Sequence, residues 1–367
     1  MSEPLRIINV VGTRPNFMKI APIMQQMKQS DRIHPILLHT GQHYDVLMSD
    51  TFFRELGIPH PDISLNIGSD THARQVASIM DKFDTVCDEI QPDAVLVVGD
   101  VNSTMACTLV ASKKGIKTIH VEAGIRSRDR RMPEEINRLV TDSVADLLLP
   151  PSQDAVDNLL AEGHSAESIC LVGNIMIDTL MMSQKGIQAS NILQKLGLID
   201  KNFVTLTIHR PSNVDDPVTF KRILDALAVV QSKIKIVFPV HPRTRKMIKD
   251  LNLEAFIIGM TNLILCDPLG YNDFGRLISG SKFVMTDSGG IQEETTVYGI
   301  PCITLRENTE RPITIQVGTN ELAGSDTQKI IDLSMQIMDG NWKKGTIPEL
   351  WDGKTAERIV SFLERKL

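Results

Sequence analysis

Short apolar runs rich in β-branched residues recur along the chain, each closed by Gly, Pro or Asp and each followed by a longer stretch of helical spacing. In the first half they are LRIINVVG at 5–12, PILLHTG at 35–41, AVLVVGD at 94–100, KTIHVEAG at 117–124 and DLLLP at 146–150. Strands separated by helices must run parallel, because the chain returns across a face of the sheet before pairing again. Most of these runs do not alternate polar with apolar, as expected of strands covered by helices on both faces. After LVGN at 171–174 and the polar helical stretch MMSQKGIQASNILQKLG, the rhythm restarts. FVTLTIHR at 203–210, KIVFPVHP at 235–242, LILCDP at 263–268, KFVMTDSGG at 282–290 and PCITL at 301–305 form the second series. The expected architecture is α/β, with two doubly wound, Rossmann-like domains at 1–174 and 175–353. The final segment, 354–367, has apolar residues at helical spacing and is expected to pack back on the first domain. Two such domains facing one another create a cleft at the carboxyl ends of their strands, where open α/β sheets bind ligands.

A length of 367 residues supports two cores of ordinary size. Composition narrows the chemistry. Hydrophobic residues make up 42% and charged residues 23%, the mix of a globular chain. A net charge of −6 leaves no general positive field for nucleic acid or an anionic membrane surface, so an anionic partner must be held locally. The five cysteines lie far apart without a CxxC pair, which indicates neither a zinc site nor a disulfide framework. No apolar run is long enough to span a bilayer, and MSEPLRIINVVG lacks the pattern of a signal peptide. The expectation is a cytoplasmic protein with reduced thiols.

The chemistry should sit at strand ends. GTRPNFMK at 12–19 follows the first strand directly, and a helix N-terminus flanked by Arg14 and Lys19 is an anion site, most naturally for phosphate. Taken alone, the same residues also describe a well-capped helix with solvated cations. DSGGIQEE at 287–294 is its counterpart in the second domain. There Ser288, Gly289 and Gly290 let backbone N–H groups approach a diphosphate, and an acid one turn on can accept both hydroxyls of a ribose.

Asp100 and Glu122 end two apolar runs that should be neighbours in one sheet, and RMPEEINR adds Glu134 and Glu135 at a helix start. Crowded carboxylates in a partly dry cleft cannot all ionise, so at least one is expected to carry a raised pKa and to exchange a proton near neutrality. Salt bridges to the nearby Arg126, Arg128, Arg130, Arg131 and Arg138 are the alternative. His209 and Arg210 end one run and His241 another, positions suited to phosphate contact or proton transfer.

In this order, GTRPNFMKIAP, TGQHYDVLM, VVGDVNST, HVEAGIRS, PEEINR, VGNIMIDTL, TIHRPSN, FPVHPR, TDSGGIQEE and RENTERP resemble the non-hydrolysing UDP-N-acetylglucosamine 2-epimerases over essentially the whole chain. The resemblance implies a glycosyltransferase-B type of fold, a homodimer, UDP-sugar as substrate, and no metal or other cofactor. It matches Asp100, Glu122, Glu134 and His209 to catalytic positions, and Arg14, Lys19, Ser288, Gly289 and Gly290 to phosphate contacts. Glu294 matches the ribose ligand. Gln42, His43, Arg210 and His241 match residues that hold a second UDP-N-acetylglucosamine as an allosteric activator in bacterial members. The chain departs from the commonest pattern at Asn16, Phe17, Pro211, Ser212 and Ile313, changes that bear on the sugar accepted.

The implied reaction interconverts UDP-N-acetylglucosamine and UDP-N-acetylmannosamine by elimination of UDP to 2-acetamidoglucal and re-addition. Two rivals share the nucleotide site: a UDP-sugar-dependent glycosyltransferase, which needs an acceptor and has no evident need of three carboxylates, and a non-catalytic UDP-sugar sensor, which could lose the acids altogether.

Overall fold

The computed structural model describes residues 3–41, 57–58 and 60–367. The chain divides into two compact units, residues 1–183 with 349–367, and residues 184–348. Among the described residues each unit holds one parallel sheet of six strands.

In the first unit the strands are β1 (Leu5–Val11), β2 (Ile33–His39), β3 (Ile63–Ser64), β4 (Ala94–Val98), β5 (Lys117–Val121) and β6 (Leu147–Leu149), in the order β3-β2-β1-β4-β5-β6. The longer helices are α1 (Arg14–Met27), α2 (His72–Ile90), α3 (Asn102–Lys113), α4 (Pro133–Val144), α5 (Gln153–Ala161) and α6 (Ile175–Ala189). Ile8 and Val10 of β1, Ile36 and Leu38 of β2 and Val95 and Val97 of β4 pack with Ile79 and Phe83 of α2 and Val110 of α3. Each such side chain contributes about 1.5–3 kcal/mol by leaving water.

The second unit repeats the order. Its strands are β7 (Phe203–Thr207), β8 (Lys235–Pro239), β9 (Leu263–Cys266), β10 (Phe283–Thr286), β11 (Cys302–Thr304) and β12 (Asn320–Leu322), arranged β12-β11-β10-β7-β8-β9. Its longer helices are α7 (Pro217–Gln231), α8 (Pro242–Asp250), α9 (Tyr271–Gly280), α10 (Gly289–Tyr298) and α11 (Thr327–Met338). Ten strands fall where the apolar runs place them. The edge strands β3 and β12 do not announce themselves, because two or three residues are too short for any periodicity to show.

The last helix, α12 (Thr355–Lys366), belongs to the first unit and lies against α1, burying Ile359, Val360, Phe362 and Leu363. Asp178 of α6 caps it, accepting from the Thr355 and Ala356 amides at 3.1 and 2.8 Å. Trp351, fully enclosed just before it, donates its indole N–H to the Pro151 carbonyl at 3.0 Å. In both sheets the order reverses at one point, between β1 and β4 and between β7 and β10. Crevices outside the carboxyl ends of strands at such switch points are where ligands of this architecture bind.

Candidate active site

The first unit gathers its acids around that switch point. β4 and β5 are paired neighbours with Val98 opposite Val121, so Asp100 and Glu122 leave adjacent strands at the same end of the sheet. Glu122 takes a left-handed backbone conformation, φ +71°, that a side chain adopts only under constraint from its surroundings. Its Oε2 lies 2.5 Å from the ammonium of Lys19, which reaches across from α1, and both side chains are buried. Its other oxygen, Oε1, is buried with no hydrogen-bond partner among the described residues. An orphan acceptor beside a fixed cation is a place for a proton or a substrate hydrogen-bond donor.

Asn16 fixes the turn that starts α1. Its carbonyl oxygen accepts from the Gly12 and Thr13 amides and from the Thr13 hydroxyl, while its amide donates to the Val98 carbonyl at 2.9 Å. This departure from the commoner acid therefore ties β1 to the end of β4, a bond that a carboxylate has no hydrogen to make. Phe17 beside it is fully buried and meets the His39 ring edge-on at 5.0 Å. Arg14 is half-buried at the first position of α1.

Helix α4 arranges the remaining acids. Residues three and four apart share a helical face, and Glu135, Arg138 and Asp142 follow that spacing. Arg138 donates to Asp100 at 2.6 and 3.1 Å and to Glu135 at 2.8 Å. Glu135 also accepts from the Ser127 and Arg128 amides, both at 2.9 Å. Burial pushes the Glu135 carboxyl up, but these amides and Arg138 hold it below the usual carboxylate range. Glu135 thus fastens the 127–128 loop, and Glu134 is the half-buried acid of the pair. The raised carboxyl expected among these crowded acids is not what happens to Glu135. Arg138 meets Glu135 with positive charge, as Lys19 meets Glu122 and Arg138 meets Asp100.

The second unit carries the nucleotide-type turn. Ser288 is the N-cap of α10, and Gly289 and Gly290 are its first residues. No described atom lies within 4 Å of where a Cβ at Gly290 would stand. Packing in the protein itself therefore does not demand glycine there.

Asp287, just before this turn, is fully buried and accepts from the His209 and Arg210 amides at 2.8 Å each and from the Asn213 side chain at 3.2 Å. His209 Nδ1 lies 2.8 Å from its other oxygen. Burial pushes Asp287 up, but the His209 ring and these amides hold it below the usual range. His209 itself is 37% exposed, and its ring lies 5.5 Å from that of His241. Arg210 Nε is buried without a hydrogen-bond partner among the described residues.

The two acids of α10 separate. Glu293 pairs with Arg311. Glu294 is buried, accepts from the Tyr271 hydroxyl at 3.2 Å, and is pushed up to about 7, chiefly by burial.

Lys19 with Glu122, and His209 with His241, are therefore brought together within their units, and Asp100 stands on the strand beside Glu122. Gln42 and His43 lie outside the described residues. Arg138 stands in the salt bridges that the sequence offered as the alternative, but sequence reasoning did not find Asp287, Asp142 or Tyr271 as partners of the site. Asp287 opens a recognised motif and Asp142 follows one, but a buried aspartate has no local signature when its partners stand in other elements.

The comparisons with known proteins agree along the whole chain. A family model described as UDP-N-acetylglucosamine 2-epimerase matches residues 25–364. The UDP-N-acetylglucosamine 2-epimerase of Methanocaldococcus jannaschii is 38% identical over 367 residues, spanning 98% of this chain and 99% of that protein. The UDP-2,3-diacetamido-2,3-dideoxy-D-glucuronate 2-epimerase of Pseudomonas aeruginosa is 36% identical, spanning 98% of this chain and 100% of that protein. A crystal structure of the Methanocaldococcus jannaschii enzyme in complex with UDP-GlcNAc and UDP superposes with a TM-score of 0.88 at 37% identity, covering 98% of this chain and 100% of that one. With a family model spanning residues 25–364 and relatives 36–38% identical covered nearly end to end, the chain belongs to the UDP-N-acetylglucosamine 2-epimerase family.

Proposed function

We propose that this protein interconverts UDP-N-acetylglucosamine and UDP-N-acetylmannosamine at C2. The observation that carries the reading is Glu122: strained backbone, one oxygen held by Lys19, the other buried and unpartnered, beside Asp100 on the next strand. The C2 hydrogen of the sugar has no adjacent carbonyl to acidify it. Departure of UDP changes this: the C1–O bond breaks with its electron pair going to the β-phosphate, C2 loses its proton, and the C2–H pair becomes the C1=C2 bond of 2-acetamidoglucal. Protonation of C2 from the opposite face and return of the diphosphate oxygen to C1 complete the inversion.

Asp100, Glu122 and Glu134 are the groups for proton transfer and for steadying positive charge on the ring. Arg14, His209 and the open N-terminus of α10 at Ser288, Gly289 and Gly290 take up the charge of the departing diphosphate. Lys19 has three donors, so it can serve a phosphate oxygen while keeping Glu122. Glu294 accepts from the ribose hydroxyls. No metal or other cofactor enters this scheme. A homodimer, a second UDP-N-acetylglucosamine bound as activator by Gln42, His43, Arg210 and His241, a cytoplasmic location and a role in polysaccharide biosynthesis complete the reading. Among the described residues no helix is long and apolar enough to cross a membrane.

The Pseudomonas aeruginosa relative is named for a diacetamido uronate, so substrate choice needs a direct comparison. Purified protein is incubated with each UDP-sugar in the absence of any acceptor, and the products are separated by anion-exchange chromatography. Formation of the manno sugar from UDP-N-acetylglucosamine supports the assignment. Turnover of the uronate alone would move the substrate while keeping the reaction, and no turnover of either would remove the reading.

A further inference from the structure

The first unit contains a buried imidazole–carboxylate pair that the scheme above does not use. His120, on β5, has no exposed side-chain surface, and Asp142, on α4, is equally enclosed. Nδ1 of His120 lies 2.6 Å from Asp142 Oδ1, and Nε2 lies 2.8 Å from the Gly99 carbonyl. A carbonyl oxygen can only accept. Asp142 can only accept while ionised: burial pushes its carboxyl up, but His120, Arg126 and the Gly124 amide hold it below the usual range. Both ring nitrogens therefore face acceptors, one on α4 and one just past the end of the neighbouring strand.

What the pair grips is informative. Gly99 sits directly before Asp100 in a left-handed conformation, φ +75°. The second oxygen of Asp142 accepts from the Gly124 amide at 3.0 Å, closing the turn that begins at Glu122. It also lies 2.7 Å from Nη2 of the Arg126 guanidinium, which Glu162 holds as well at 2.6 Å. Gly124 is left-handed too, φ +78°, and a Cβ there would stand 2.3 Å from the Ala155 carbonyl of α5. Two tight turns, one leading into Asp100 and one leading out of Glu122, are thus fastened to a single buried pair.

We propose that His120 and Asp142 are positioning residues that fix the Asp100 and Glu122 turns relative to each other. The inference rests on the reading of those two acids as the proton-transfer groups. Neither side chain need meet substrate. Placement of catalytic groups to within a fraction of an ångström is worth large factors in rate. Removing the grip should therefore lower turnover while leaving nucleotide binding, whose phosphate and ribose contacts are assigned to other residues, nearly untouched.

The test compares wild type with His120→Gln, whose amide has one side of hydrogen-bonding hydrogens and cannot serve both acceptors from the ring's two edges. Expected are a fall in kcat of thirtyfold or more, about 2 kcal/mol at that factor, and a UDP Kd within twofold of wild type, at a temperature well below the variant's unfolding midpoint. A folded variant whose kcat is retained, or whose kcat loss is matched by an equal loss of UDP affinity, would overturn the proposal. Nitrogen-15 spectra of histidine-labelled wild type give a second reading that survives a variant that does not fold. His120 ring N–H signals slow to exchange with water are expected, and signals that exchange as fast as those of free histidine would overturn the proposal. Wild type that turns over no UDP-sugar would instead remove the functional reading, and the spectra would still decide whether the pair grips both turns.

Discussion

The two units share a strand order and place a buried aspartate behind their strand-end turns, yet they use it differently. Asp287 holds two amides of the 209–210 segment and a histidine that is 37% exposed, so the imidazole remains accessible to a ligand. Asp142 holds an amide and a histidine with no exposed surface, so its imidazole is confined to gripping backbone. The same pair of side chains thus leaves its ring open to a ligand in the second unit and, on our proposal, fixes the position of others in the first. Burial of the ring decides which, and residue type alone does not.

The contrast extends to charge. In the first unit the acids are matched by cations, Lys19 on Glu122 and Arg138 on Asp100 and Glu135. In the second, Glu294 is matched among the described residues by the Tyr271 hydroxyl, and its carboxyl rises to about 7. If the acids of the first unit move the C2 proton and the glycine turn and Glu294 of the second hold the nucleotide, variants at those residues should divide along that line.

The largest effect is expected at Glu122. Glu122→Gln keeps the shape and removes the acid, so the rate of C2 proton exchange should fall by about a thousandfold or more, a barrier increase of ~4 kcal/mol, while UDP affinity by calorimetry changes less than threefold. Equal losses in rate and affinity would erase the division between the units.

Next comes the pH dependence of stability set by Glu294. Its folded pKa, about 7, stands above the ordinary 4.5. Between those values the folded state keeps a proton that the unfolded chain gives up, so this group's stabilising contribution is complete below the lower value and is lost as pH rises through the upper one. The loss amounts to roughly 3 kcal/mol. Glu294→Gln should abolish it, so the variant gains stability relative to wild type from pH 5 to pH 8 in denaturant titrations. A constant difference across that range would show that the carboxyl is ionised throughout. The same carboxyl should release a proton when UDP binds near pH 6.5, since ribose hydroxyls donate to the ionised form, and calorimetry in two buffers of different ionisation heat reads it.

The smallest effect sharpens the comparison most. With open space around Gly290, Gly290→Ala should leave the unfolding midpoint unchanged or slightly raised, because alanine favours a helix. UDP affinity should nevertheless weaken about tenfold, ~1.4 kcal/mol, as the methyl group meets the diphosphate. Unchanged affinity would mean that the glycine turn does not touch the nucleotide.

Much of this was legible beforehand where the signal is local. Strands such as Ala94–Val98 and Phe203–Thr207 are continuous apolar runs, and the acids or histidines just beyond them stand at sites by position alone. What stayed hidden depends on distant pairing. Lys19 reads as a phosphate contact, and nothing local shows that Glu122, 103 residues away, also rests on it. Which acid of the 293–294 pair stays unmatched depends on Arg311 for one and Tyr271 for the other. The turn-gripping role of His120 needs Gly99, 21 residues back in sequence but on the neighbouring strand. Spacing along the chain reports which residues reach a strand end, whereas charge matching and burial are settled only when strands and helices come together.

The central claim is that an acid of the first unit removes and returns the C2 proton of a UDP-sugar. Proton NMR of the protein with UDP-N-acetylglucosamine in deuterated water tests it most directly. The account predicts that UDP-N-acetylmannosamine appears carrying deuterium at C2, that deuterium also enters C2 of the remaining substrate, and that both processes are lost in Glu122→Gln. Manno sugar that forms with its original hydrogen retained at C2, or undiminished exchange in that variant, would contradict it.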